Sequence, residues 1–96
     1  MNNKPKVSEL IAETLENLGI RHAFGMIGAG NVHLFEAISQ RGYTEIVCIH
    51  HEQAATMAMQ TYYRMNKRLA ACLLTTGAGA ANGVTGVLSA WADSIP

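Results

Sequence analysis

The sequence predicts an α/β fold in which a parallel β-sheet is flanked by helices in three layers. Short apolar runs alternate with longer segments whose apolar residues recur at helical spacing. The predicted strands end near Phe24, Ile49 and Leu74, twenty-five residues apart, which is long enough for one strand and one crossover helix. These runs are continuously apolar, as expected when both faces of a parallel sheet are covered.

The first predicted helix ends before Gly19, which suits the C′ position because glycine adopts a left-handed conformation without strain. Its apolar residues share one face, which we expect to pack inward. That face consists of Val7, Leu10, Ile11, Leu15 and Leu18. A strand from His22 to Met26 follows and leads into the glycine-rich loop GMIGAGN.

A second helix follows this loop, with Asn31 as its predicted N-cap and Gly42 after its last turn. Leu34, Phe35 and Ile38 form its predicted inner face. The two remaining repeats are a strand from Glu45 to Ile49, leading through His50-His51-Glu52 into a third helix, and a strand from Leu69 to Leu74, leading through TTGAG into a fourth.

The fourth predicted helix is apolar on all sides, so we expect it to be covered all round. One of its faces carries only small residues, which favours close packing: Gly79, Gly83, Gly86 and Ala90. A parallel fold calls for a further strand after this helix, whereas the sequence stops at Pro96. We therefore expect the fold to be incomplete in this chain.

Composition excludes several classes of function. Seven basic residues balance seven acidic ones without a basic stripe, so neither nucleic-acid binding nor adsorption to an anionic membrane is expected. The uncharged stretch from Leu69 to Ala92 is interrupted by Thr75-Thr76-Gly77 and Asn82, which argues against a membrane span. Cys48 and Cys72 match no metal or redox spacing, and we expect buried free thiols in a cytoplasmic protein.

Three loops are predicted to meet at the carboxyl edge of the sheet, where open parallel sheets bind ligands. They are Gly25 to Asn31, His50 to Gln53, and Thr75 to Gly79. Adjacent histidines at a strand end point to opposite faces, so a metal site at His50 and His51 is not expected. Glu52 is the acidic residue of this edge; a structural role beside the helix dipole and a chemical role both remain open.

The segment TTGAGAAN has two further interpretations. It resembles a dinucleotide fingerprint, but Asn82 replaces the third glycine and no acidic residue follows at the required distance. Its glycines also suit either close packing of helix and strand or a phosphate cradle at the helix start, although no lysine or arginine is near. The residues alone leave these alternatives open.

Two stretches resemble the N-terminal pyrimidine-binding (Pyr) domain of thiamine-diphosphate enzymes of the acetolactate synthase type. They are "HHEQAATMAMQTYYR" and "LLTTGAGAANGVTGVLSAWADSIP". The order of parts agrees along nearly the whole chain: an opening helix, FG with a glycine loop, HEQAA, TTGxG and a closing ADSIP. HEQAA followed by TTGxGxxN is more specific than either motif alone.

The resemblance implies a catalytic role for Glu52. In that family the matching glutamate hydrogen-bonds N1′ of the cofactor's aminopyrimidine and helps the ring remove the thiazolium C2 proton. This sequence departs from the family at Ala78 and Ile27, where prolines are usual, so the resemblance leaves loop shape and substrate choice open. The cofactor-binding residues that it implies are Gly28, Glu52, Thr76, Ala78, Gly79 and Asn82.

The resemblance also implies thiamine diphosphate and Mg²⁺ as cofactors, with FAD left open. The family binds Mg²⁺ through a second, diphosphate-binding domain with a Gly-Asp-Gly motif, which residues 1–96 lack, so no metal ligand is predicted here. We expect residues 1–96 to be a partial Pyr domain, inactive alone, of a homodimeric or homotetrameric enzyme that uses a 2-oxo acid such as pyruvate. Acetolactate synthase-like acyl transfer is the expected reaction; the alternatives are a 2-oxo-acid decarboxylase or oxidase, or a non-catalytic module that binds a small anion or nucleotide.

Overall fold

A computed structural model describes residues 4–96 and confirms the α/β fold: a three-stranded parallel sheet, in the order β2-β1-β3, flanked by helices. Residues 1–3, the start of the predicted domain 1–96, lie outside the described residues. Along the chain the elements are α1 (Val7–Asn17), β1 (His22–Gly25), α2 (Val32–Arg41), β2 (Glu45–Cys48), α3 (Glu52–Asn66), β3 (Ala71–Leu73), α4 (Ala78–Asn82) and α5 (Val84–Ala92).

The central strand β1 aligns the carboxyl ends of all three strands. Gly25, its last residue, is in register with Cys48 on β2 and with Leu73 on β3. A Cβ on Gly25 would lie 2.4 Å from the carbonyl oxygen of Leu73, so this position tolerates glycine alone. Because the strands end level with one another, the three loops that follow them meet at one edge of the sheet.

The described core is small and lies between the sheet and the pair α1 and α2. The predicted inner face of α1 is wrong at four positions, since Val7, Leu10, Ile11 and Leu18 are exposed and Val7 keeps 72% of its surface. Helix α1 packs against α2 and buries the small side chain of Ala12, while Leu15 is the member of the predicted face that packs against the same core. The buried core residues are Ala12, Ala23, Phe35, Ala37, Ile38 and Leu73.

The fourth predicted helix is two helices, because α4 ends and α5 begins at Gly83. The covering that we expect on every side of this segment is not provided within the described residues. Gly86 is buried, whereas Val84, Val87, Leu88 and Trp91 are exposed, Trp91 at 82%. Nothing among residues 4–96 covers the outer face of α5, since its main contact is with α3.

The two cysteines differ in environment. Cys72 on β3 is half-buried, whereas Cys48 at the end of β2 is exposed, so the prediction of a buried thiol is wrong for Cys48. It fails because β2 is an edge strand whose last residue faces the loop edge. Within residues 4–96, no helix is long and apolar enough to cross a membrane.

Candidate active site

Glu52 is the first residue of α3 and directly follows the turn after β2. The N-cap is His51, whose backbone is extended and whose Nδ1 accepts the backbone N–H of Gln53 at 3.0 Å. The capping role therefore belongs to the histidine, and the Glu52 carboxylate is available for other contacts. Its side chain is nonetheless enclosed, since Glu52 is only 8% exposed.

The carboxylate of Glu52 lies between α3 and α4. Asn82, at the end of α4, donates its side-chain Nδ2 to Glu52 Oε1 at 3.2 Å. The other oxygen faces Gly79, where an added Cβ would approach Oε2 to 3.4 Å. The structure thus brings together three of the predicted site residues, which come from two separate loops of the sheet edge.

The surroundings of Glu52 favour its ionised form. The pKa of Glu52 is lowered from its ordinary value of 4.5, mainly because its own backbone N–H donates to the carboxylate and also because Asn82 does. Burial acts in the opposite direction, and His51 adds a small favourable charge interaction. Without a further partner, the carboxylate is therefore an acceptor at neutral pH.

The first glycine loop is folded around the side chain of Asn31. The backbone N–H of Gly28 donates to Asn31 Oδ1 at 2.8 Å, and Asn31 Nδ2 donates to the carbonyl of Met26 at 3.2 Å. Asn31 occupies the predicted N-cap position of α2, but its side chain makes no capping hydrogen bond there. The N-cap prediction is therefore right in position and wrong in chemistry, because the buried side chain turns back into the loop.

The remaining predicted residues lie around this centre without touching Glu52 in the described contacts. Thr76 and Ala78 are exposed in the turn that opens α4. Gly28 lies against Thr75, since an added Cβ would come within 2.7 Å of that side chain. Thr75 joins the first loop to the third and was not among the predicted site residues. The glycines that recur in both loops could have indicated a side chain packed between them.

An apolar groove of about 390 Å³ lies between α3 and α5, and Glu52 does not line it. Its walls include Leu74, Gly86, Val87 and Trp91. The titratable group on its wall is Cys72, and burial raises the pKa of this thiol to about 11. This groove offers packing surface rather than acid–base chemistry, and the candidate site is the polar centre at Glu52.

No cluster of three or more potential metal-binding side chains occurs in the part of the chain that the structure describes.

Comparison with known proteins identifies relatives over most of the chain. The family described as "Thiamine pyrophosphate enzyme, N-terminal TPP binding domain" matches residues 5–96. The chain is 37% identical over 89 residues to the acetolactate synthase large subunit of Buchnera aphidicola from Schizaphis graminum, and 34% identical over 89 residues to those of Haemophilus influenzae and Lactococcus lactis. Each alignment covers 93% of this chain and 16% of the relative, so the chain spans about one sixth of these relatives' length.

Proposed function

The chain belongs to the thiamine pyrophosphate enzyme family, and we propose that its Glu52 centre receives the aminopyrimidine ring of thiamine diphosphate. The observation that carries this proposal is the enclosed Glu52 carboxylate, held by Asn82 and bordered by Gly79 at the carboxyl edge of a parallel sheet. Ligands of open parallel sheets bind at this edge.

The residues present fit such a ring. Glu52 Oε2 lies beside Gly79, which carries no side chain that could compete with a ligand for this oxygen. A flat heterocycle can hydrogen-bond the carboxylate with a ring nitrogen. Exposed Thr76 and Ala78 border the same turn and complete the proposed ring-binding set with Gly28, Gly79 and Asn82.

Each residue then has a distinct task. Asn82 donates to Oε1 and fixes the orientation of the carboxylate. Glu52 would hold the proton that it shares with ring atom N1′, since a docked ring excludes water and raises the proton affinity of a carboxylate. The bound cofactor supplies the electron sink for cleavage beside a carbonyl group.

The relatives named above are acetolactate synthases, and this supports the same reaction class for the protein to which these residues belong. We propose that pyruvate loses its carboxyl group as CO2 and that the remaining two-carbon acyl unit is transferred to a second 2-oxo acid, with Mg²⁺ held by residues outside this chain. A homo-oligomeric, cytoplasmic enzyme is part of the same proposal. A decarboxylase or oxidase of the family is the alternative that differs only in the acceptor.

Product analysis tests the reaction class. The full-length enzyme should be incubated with pyruvate, thiamine diphosphate and Mg²⁺, with omission of each cofactor as control. We expect acetolactate formation that requires both cofactors. Release of free aldehyde or of an oxidised acid instead would identify the decarboxylase or oxidase alternative, and turnover without thiamine diphosphate would contradict the proposal.

A further inference from the structure

Thr75 follows β3 and lies against glycines of both loops. An added Cβ would lie 2.7 Å from Thr75 Cβ at Gly28, 2.9 Å from Oγ1 at Gly30 and 2.6 Å from Cγ2 at Gly79. A Cβ atom does not approach other heavy atoms this closely in proteins, so a side chain at any of the three positions would displace Thr75. Three glycines thus leave room for one threonine.

The two ends of this side chain contact different loops. Its hydroxyl accepts the backbone N–H of Gly30 at 3.0 Å, across forty-five residues of sequence. Its methyl group faces Gly79, whose Cα region borders the Glu52 carboxylate. Thr75 is therefore in contact with the glycine loop on one side and with the neighbour of Glu52 on the other.

Apart from this hydrogen bond, the glycine loop is held by contacts within itself and by backbone hydrogen bonds at its base. Asn31 closes it internally through Gly28 and Met26, which fixes its shape but not its distance from the third loop. The backbone N–H of Met26 donates to the carbonyl of Leu73 at the base of the loop. At the tip, the hydrogen bond from Gly30 to Thr75 is the described link to the third loop.

We infer that Thr75 is a positioning residue, which fixes the tip of the glycine loop at a set distance from Glu52 and so forms one wall of the substrate pocket in advance. Its role as a pocket wall rests on the proposed function, whereas the link itself does not. The loop then presents the exposed side chain of Ile27 at the carboxyl edge of the sheet.

Amide hydrogen exchange in the cofactor-free protein tests the link. Thr75→Val keeps the methyl group and shape but removes the acceptor, so we expect the Gly30 amide to exchange roughly two- to tenfold faster, the scale of one hydrogen bond. Thr75→Ser keeps the hydroxyl and should retain Gly30 protection. The Gly28 amide is the internal control, because its acceptor is Asn31 and both variants should leave it unchanged.

Several results would overturn the inference. An unprotected Gly30 amide in the unmodified protein would do so without any variant, and so would equal exchange in the valine and serine variants. In the full-length enzyme, Thr75→Val should raise KM for the 2-oxo acid about three- to tenfold with kcat within about twofold, and Thr75→Ser should restore KM. An unchanged KM would refute the role as a pocket wall. An inactive unmodified enzyme would instead count against the proposed function and leave the exchange result to decide the link.

Discussion

Gly86→Ala should destabilise the protein through the contact between α3 and α5. A Cβ at this position would lie 1.8 Å from Thr56 Oγ1 and 2.4 Å from Thr56 Cβ. Thr56 cannot turn away easily, because it is buried and its hydroxyl donates to the carbonyl of Gln53 at 2.9 Å. The two helices must therefore move apart.

Two effects lower the free energy of unfolding of this variant, and a third raises it. Overpacking a close contact costs about 1–3 kcal/mol. Displacement of α5 also strains the 2.8 Å hydrogen bond from Gln60 Nε2 to the Gly86 carbonyl, which contributes about 1 kcal/mol. The higher helix propensity of alanine offsets about 1 kcal/mol of this loss. We expect a net loss of about 1–3 kcal/mol in the free energy of unfolding, or on the order of 5–20 °C in Tm for a domain of this size.

Thermal and urea unfolding followed by circular dichroism measure the effect. Thr85→Ala is the matched control, because Thr85 is exposed on the same helix and its replacement should change stability by less than about 0.5 kcal/mol. Gly83→Ala should cost less than Gly86→Ala, since its first contact is the flexible end of Leu74, at 2.5 Å. Equal or higher stability of Gly86→Ala would refute the close packing of α3 on α5.

Two further predictions concern titratable groups. Because the pKa of folded Glu52 is lowered from 4.5, its ionised carboxylate stabilises the fold well above pH 4.5, and this contribution is lost as the pH falls through the folded pKa. The stability of the unmodified protein relative to Glu52→Gln should therefore fall as the pH is lowered below 4.5, and a constant difference would contradict the lowered pKa. Burial raises the pKa of Cys72 from 9.0 to about 11, so at about pH 8 iodoacetamide should modify Cys72 roughly 100-fold more slowly than an ordinary thiol. Exposed Cys48 should therefore be labelled first, which mass spectrometry of the labelled peptides measures. Faster labelling of Cys72 than of Cys48 would contradict the burial of the Cys72 thiol.

Much of the fold was predictable because local pattern and tertiary structure agree. Short-range chemistry that the sequence displays directly determines where the strands end. It also determines that glycines end the first two helices, at Gly19 and Gly42, and that a helix begins at Glu52. The outer face of α1 was not predictable in the same way. Its leucine stripe has helical spacing, but the residue of α1 that is buried is the small Ala12, and periodicity cannot rank a small contact against a large one.

The candidate site was predictable only in part. The family resemblance brought Glu52, Gly79 and Asn82 into one proposal, and in the structure Asn82 hydrogen-bonds Glu52 while Gly79 lies beside it. The roles of Thr75 and Asn31 depend on contacts that pass across the loops or turn back within them, and no local pattern distinguishes such threonines and asparagines from turn or cap residues. The break between α4 and α5 at Gly83 was also not predicted, because the apolar pattern continues through it.

The most direct test of the account is the turnover of Glu52→Gln in the full-length enzyme with saturating thiamine diphosphate, Mg²⁺ and pyruvate. Glutamine keeps the size and can still accept from Asn82, but it cannot share a proton with a ring nitrogen. We predict a fall in kcat of roughly 10²–10⁴-fold, the usual scale of a proton-transfer contribution, with a much smaller change in cofactor affinity. Near-normal turnover would contradict the central claim that Glu52 activates the cofactor.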